Sequence, residues 1–226
     1  MKLNPDFARY LFGGVPLASV GMEGVRIERR ALSTVELPDG RVHACDPLVP
    51  VDVAPLAQRL PSGDYQVVLF VIVGTRHAEP NTKMECNAAA ALLCGERAPL
   101  SWELASREGG APDAAAYGVD AGTGCFMGSR ALELLVDADD SSGQRIMKAL
   151  ESASGAIVSL DNGSRVAVFS TGIGDGIYNT WLGRDEAGEP AMLLTDFATL
   201  DSESYVSAVH AEWAARKAKK WWQVWK

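Results

Sequence analysis

An α+β fold dominated by antiparallel strands is predicted by three features of the sequence. The apolar run Val67 to Val73 is rich in β-branched residues and has the length of a buried strand. Asp161-Asn162-Gly163 sits between Ala156-Ile157-Val158 and Arg165-Val166-Ala167-Val168-Phe169, the pattern of a two-stranded hairpin whose Asn-Gly accepts positive φ. Only a few short stretches carry helical spacing. The expected architecture is therefore mostly antiparallel β, as a sandwich-like or curved sheet, with a few short helices and a C-terminal helix.

Along the chain, Val25 to Val35 alternates loosely and Leu37-Pro38-Asp39-Gly40 reads as a turn into Arg41 to Cys45, which predicts a hairpin ended by Asp46-Pro47. Pro61-Ser62-Gly63-Asp64 is a second turn, and Tyr65 to Val73 follows as a central strand. The alanine-rich stretch Met84 to Cys94 is read as strand and Leu100 to Ser106 as a short helical stretch, with Arg107 to Ala116 a loop. Helices are predicted over Ser129 to Val136, with Ser129 as N-cap, and over Gly143 to Ser152, separated by an acidic loop from Asp137 to Ser142. Strands are expected around Ile177 to Leu182 and Ala191 to Phe197. From Ser202 onward the spacing of Tyr205, Val206, Val209 and Trp213 predicts one amphipathic helix. No repeat or low-complexity linker interrupts the chain, so residues 1–200 are read as one β-rich domain, and 201–226 as a Trp-rich basic helix packed on it.

The chain has 226 residues and a net charge of −8. Its last eleven residues hold five of the twenty-one basic side chains and no acid, leaving sixteen basic against twenty-nine acidic elsewhere, a balance of −13. Such a body repels nucleic acid and attracts a basic partner. No apolar run approaches the ~18 residues of a membrane-spanning helix, and the start lacks a secretory pattern, so a cytoplasmic location is expected. The four cysteines, Cys45, Cys86, Cys94 and Cys125, are widely spaced, as are His43, His77 and His210. That spacing argues against a zinc site of neighbouring ligands and against a disulfide framework, and for reduced thiols that are mostly buried.

Two segments hold an aspartate between glycines: Tyr117 to Met127, with Asp120, Gly122 and Thr123, and Ser170 to Tyr178, with Gly174, Asp175 and Gly176. Glycine allows the sharp turns and close approaches that place a carboxylate against a ligand or another strand. Two such carboxylates together can divide acid and base roles or bind a hard cation such as Ca²⁺ or Mg²⁺. Alternatively each caps its own turn by accepting from nearby amides. A hydrolase would use Asp120 and Asp175, with Tyr178 as a proton-transferring neighbour. A Cys125 nucleophile would need one of the scattered histidines beside it.

Asp120-Ala121-Gly122-Thr123-Gly124 also resembles the phosphate loop of the actin and sugar-kinase ATPases, although there it lies near the start of a much longer chain. The same Asp-x-Gly string resembles the aspartic-protease turn, but Gly176 is followed by Ile177 and no second Asp-Thr/Ser-Gly appears. Four segments together resemble an uncharacterised bacterial family, domain of unknown function 4241: Gly40 to Leu48, Pro61 to Tyr65, Tyr117 to Met127, and Ser170 to Tyr178 continuing to Asp196-Phe197. The resemblance implies that a common site draws on Asp46, Asp120, Gly122, Asp175, Gly176, Tyr178 and Asp196. Gly128 departs from a pattern that often carries an acid there, which argues against an acid cluster or metal site.

Two functions follow as expectations. The first is an acidic protein-binding module, antitoxin-like or immunity-like, with a basic protein partner. The second is a hydrolase using the paired aspartates, with a divalent cation. The tail, with Trp221 and Trp222 among its lysines, is expected to pack its apolar stripe on the domain, the alternative being contact with a partner groove or an anionic membrane.

Overall fold

The computed structural model describes residues 11, 22–51, 53–76, 79–110, 115–137, 140–172 and 174–199. Among them run β1 (Met22–Leu37), β2 (His43–Cys45), β3 (Gly63–Arg76), β4 (Glu79–Leu93), β5 (Ser101–Leu104), β6 (Tyr117–Val119) and β7 (Thr123–Met127). Helices α1 (Ser129–Asp137) and α2 (Asp140–Leu150) follow, then β8 (Gly155–Ser159), β9 (Arg165–Ser170), β10 (Gly176–Arg184) and β11 (Pro190–Asp196). Two sheets result. The larger has the order β1-β3-β4-β11-β10-β5, with β6 also paired to β10; the smaller has the order β2-β7-β9-β8. Every pairing among the described strands is antiparallel.

The run Val67 to Val73 explains the layering. Its odd residues, Val67, Leu69, Val71 and Val73, join a cluster that also takes Phe126, Ala167 and Phe169 from the smaller sheet. Its even residues, Val68, Phe70 and Ile72, point the other way, into a second cluster with Trp181, Leu194 and Leu11. On the smaller sheet's far side, α1 and α2 insert Ala131, Leu135 and Ile146 against Cys45, Cys125, Val158 and Val168. A strand buried on both faces needs no polar alternation, which is why its sequence is continuously apolar.

The β8–β9 hairpin forms around Asn162-Gly163 with Gly163 at φ 79°, as its turn residues require. Four expectations are corrected. β1 does not form a hairpin with β2: β1 pairs with β3, and β2 crosses to the smaller sheet to pair with β7. The carbonyls of Gly40 and Val42 are taken instead by the amides of Leu60 and Leu56, at 2.9 and 2.8 Å. Leu100 to Ser106 is not helical; β5 completes the ladder of β10, and its residues alternate between exposed and half-buried. The acidic loop shortens because α2 already begins at Asp140. Ser129 is not the cap: the Gly128 carbonyl receives the first helical amides, from Ala131 and Leu132, while the Ser129 hydroxyl turns away to Asp39. The predicted C-terminal helix lies outside the described residues. No helix among those described is long and apolar enough to cross a membrane.

Candidate functional site

Both glycine-framed aspartate turns are crossings between the sheets. The first runs from β6, paired to the larger sheet through β10, into β7 of the smaller. The second runs back from β9 to β10. They meet at one end of the molecule. Gly122 N–H donates to Asp175 Oδ1 at 2.9 Å, and Thr171 N–H donates to the Gly122 carbonyl at 2.8 Å. A Cβ on Gly122 would lie 3.4 Å from the Gly174 Cα, and Gly122 holds φ 59°, a left-handed conformation that side chains resist.

Asp46 anchors the pair from beneath. It ends β2, is buried, and accepts from Leu48 N–H at Oδ1 (2.8 Å) and from Asp120 N–H at Oδ2 (3.1 Å). Thr123 is buried and donates its hydroxyl to the Ala121 carbonyl at 3.0 Å. In the second turn, Thr171 Oγ1 and Tyr178 Oη both donate to the Gly174 carbonyl, at 2.8 and 2.6 Å. Tyr178 also reaches the Thr171 carbonyl at 3.1 Å, and its ring meets Phe197 edge-on at 5.4 Å. Burial, more than the nearby Asp175 charge, raises its phenol above the usual range, with the Thr171 bond opposing.

The structure thus brings Asp46, Asp120, Gly122, Thr123, Gly174, Asp175, Gly176 and Tyr178 together. Asp120 follows Val119 and Asp175 precedes Gly176, the last pair of that ladder, so both stand just beyond its end, and both are exposed. Neither carboxylate forms an ion pair among the described residues. Asp196 lies opposite Asn179 on β11 and accepts from Ala198 N–H at 2.8 Å, capping its own turn. Trp221 and Trp222 lie outside the described residues. Among those described, no three His, Cys, Asp or Glu side chains are grouped as a metal site would need. A cleft of about 370 Å³ beside β5, bordered by Gln58, Glu103, Ser106 and Arg184, contains none of the expected site residues. Gly128, which departs from a pattern that often carries an acid there, has a local reason: a Cβ at that position would meet the Glu36 carbonyl at 2.7 Å.

Two groupings escaped the sequence. Cys125 is buried with a thiol for its neighbour among the described residues, Cys45 Sγ 3.6 Å away, and burial pushes its own thiol well up. His43, also buried, places Nδ1 3.1 Å from the Val53 carbonyl and Nε2 3.2 Å from Ser129 Oγ, which reaches Asp39 at 2.9 Å. The β2–β7 pairing brings together Cys45 with Cys125 and His43 with Ser129, across 80 and 86 positions.

Fold and site define a mostly antiparallel sheet protein whose two sheets are joined through stitched aspartate turns. Its family is established by a match to the model described as protein of unknown function DUF4241 over residues 35–195, and the chain belongs to that family. That span runs from within β1 to within β11 and takes in every aspartate named above except Asp196. No curated protein and no solved structure matches the chain.

Proposed function

We propose that the protein is an acidic protein-binding module, of the antitoxin-like or immunity-like kind, that meets a basic partner at the aspartate turns. The observation that carries this reading is the exposed pair Asp120 and Asp175, both next to the last pair of the β6–β10 ladder and without a cation of their own among the described residues. Beside them Ile177 is 77% exposed, an apolar contact next to the charges. Exposed carboxylates on a rigid backbone give a basic partner fast association and register without a conformational change. Around them lies a body whose balance is −13 once the last eleven residues are set aside.

The hydrolase reading draws on the same adjacency, with a divalent cation between the carboxylates. It asks more of the site, because one Asp175 oxygen already holds Gly122 N–H and the Tyr178 hydroxyl already serves two carbonyls.

The test is charge reversal at Asp120, whose side chain supports no described hydrogen bond. The expected result is that tagged wild-type protein retains a stoichiometric basic protein from its native cells at moderate salt. Asp120→Lys binds that purified partner at least about tenfold more weakly, with an unchanged melting temperature. Glu186→Lys, at a remote exposed position, binds normally. Equal affinity of wild type and Asp120→Lys, or the absence of any stoichiometric partner, overturns the proposal. Loss of a hydrolytic activity in Asp120→Asn with the fold intact would favour the enzyme instead.

A further inference from the structure

We propose that Cys45 and Cys125 are a modification site: a thiol pair built to close into a disulfide that fastens β2 to β7. The two residues are direct partners in the β2–β7 register, and their sulfurs are 3.6 Å apart in the reduced state. Directly opposed residues of an antiparallel pair have Cα atoms about 4.5 to 5.5 Å apart, inside the roughly 4.4 to 6.8 Å window that a disulfide spans without backbone movement. Side-chain rotation alone therefore closes the bond.

The other two cysteines lack this geometry. The Cys86 thiol contacts the Asn87 carbonyl and the Cys94 thiol the Leu92 carbonyl, and no described cysteine lies against either. The pair also has a cation near it. Arg107 donates to the Ala54 and Ala44 carbonyls, at 2.6 and 2.9 Å, and forms no ion pair among the described residues. Its charge attracts a thiolate at Cys125, against the burial and the Asp46 charge that hold that thiol up.

Both residues are buried, and the two positions differ in how readily their strands open. β2 is a three-residue strand at the edge of its sheet, whereas β7 is flanked on both sides. Short edge strands open more readily than central ones. Cys45 is accordingly the entering thiol and Cys125 the resolving one. With a low-molecular-weight disulfide as oxidant, the Cys45 thiolate attacks one sulfur and expels the first small thiolate, leaving a mixed disulfide. The Cys125 thiolate then attacks Cys45 Sγ and expels the second. Two protons leave the protein thiols and two electrons pass to the small disulfide, which ends as two thiols. The new bond lies one residue before Asp46, whose carboxylate holds the Asp120 turn. Oxidation thus fixes the strand on which that turn rests, whether or not a partner binds there.

The experiment incubates the native full-length chain with oxidised glutathione, then denatures it, alkylates the remaining thiols and maps peptides by mass. The expected result is that two of the four cysteines escape alkylation, with the Cys45 and Cys125 peptides joined and together about 2 Da lighter than the reduced pair. Oxidised wild type should melt roughly 5 to 10 °C above the reduced form, a shift absent in Cys45→Ala. Four alkylated cysteines after prolonged incubation, a glutathione adduct that persists on Cys45, or a cross-link through Cys86 or Cys94 overturns the proposal. The wild-type map decides the matter even if Cys45→Ala folds poorly.

Discussion

The Asp46 carboxylate is buried without an ion-pair partner among the described residues, and two backbone amides hold it instead. Such a group stabilises by satisfying donors that would otherwise be stranded, each worth about 1–3 kcal/mol when left unmade. Asp46→Ala should therefore lower unfolding stability by roughly 2–4 kcal/mol in urea titrations, and Asp46→Asn, which keeps one acceptor oxygen, by about half of that. Glycine positions provide a sharper comparison. Gly122→Ala puts a side chain at φ 59° and against Gly174, whereas Gly118→Ala in β6 meets nothing within 4 Å and has no positive φ. The first should cost about 1–2 kcal/mol and the second less than about 0.5 kcal/mol, by the same titration. The Asp-Gly strings did mark these turns in the sequence, because glycine's freedom is a local property. What the strings could not specify is the partner of each carboxylate: Asp46 caps a turn more than seventy positions away.

At the scale of elements, the His43 contacts tie β2 to the start of α1. The ring lies between the Val53 carbonyl and Ser129, with Asp39, Arg107 and Arg41 the charged groups around it. Burial is the largest influence and depresses its affinity for a proton, outweighing the Val53 bond and the Asp39 charge that raise it. In the unfolded chain the imidazole returns to its ordinary value of 6.5. As pH falls through that value the unfolded state takes up the proton first, so stability present above it declines until the folded-state value is passed. Urea midpoints measured from pH 7.5 to 5.5 should fall in wild type and stay nearly level in His43→Gln. The same elements show where sequence reading stops. The β8–β9 hairpin was legible because Asn162-Gly163 carries its own turn chemistry. The β1–β2 hairpin was misread for an opposite reason: the Pro38-Asp39-Gly40 turn does form, with Gly40 N–H on the Leu37 carbonyl, but the chain leaving it is claimed by distant segments. Leu100 to Ser106 has helical spacing over too few residues to nucleate a helix, and the free edge of β10 decides its conformation.

Over the whole molecule, three apolar clusters separate the layers, and a buried polar residue bridges the middle one's edge. Asn87 on β4 is 1% exposed and sends both amide hydrogens across to the smaller sheet, to the Ser154 carbonyl at 2.7 Å and the Ser170 carbonyl at 2.8 Å. Its carbonyl oxygen has no partner among the described residues. The sequence shows only an asparagine before four alanines, because the meaning of this residue depends on two strand ends more than sixty positions further on. Replacing it tests the joint between sheets. Asn87→Ala removes both donors and should lower stability by about 2–4 kcal/mol, to a similar degree at pH 7 and pH 4.5. Asn87→Asp aims an anionic oxygen at two carbonyls, so its deficit at pH 7 should exceed that of Asn87→Ala. Burial and those carbonyls raise the introduced carboxyl's folded-state pKa above its unfolded value of about 3.9. A raised group contributes stability below the unfolded value and loses it as pH rises through the folded one. Once protonated, the carboxyl donates its one hydrogen to a carbonyl, and the deficit relative to wild type should narrow by at least about 1 kcal/mol between pH 7 and pH 4.5. A deficit unchanged between those pH values would mean that Asn87 does not carry the joint through its amide hydrogens.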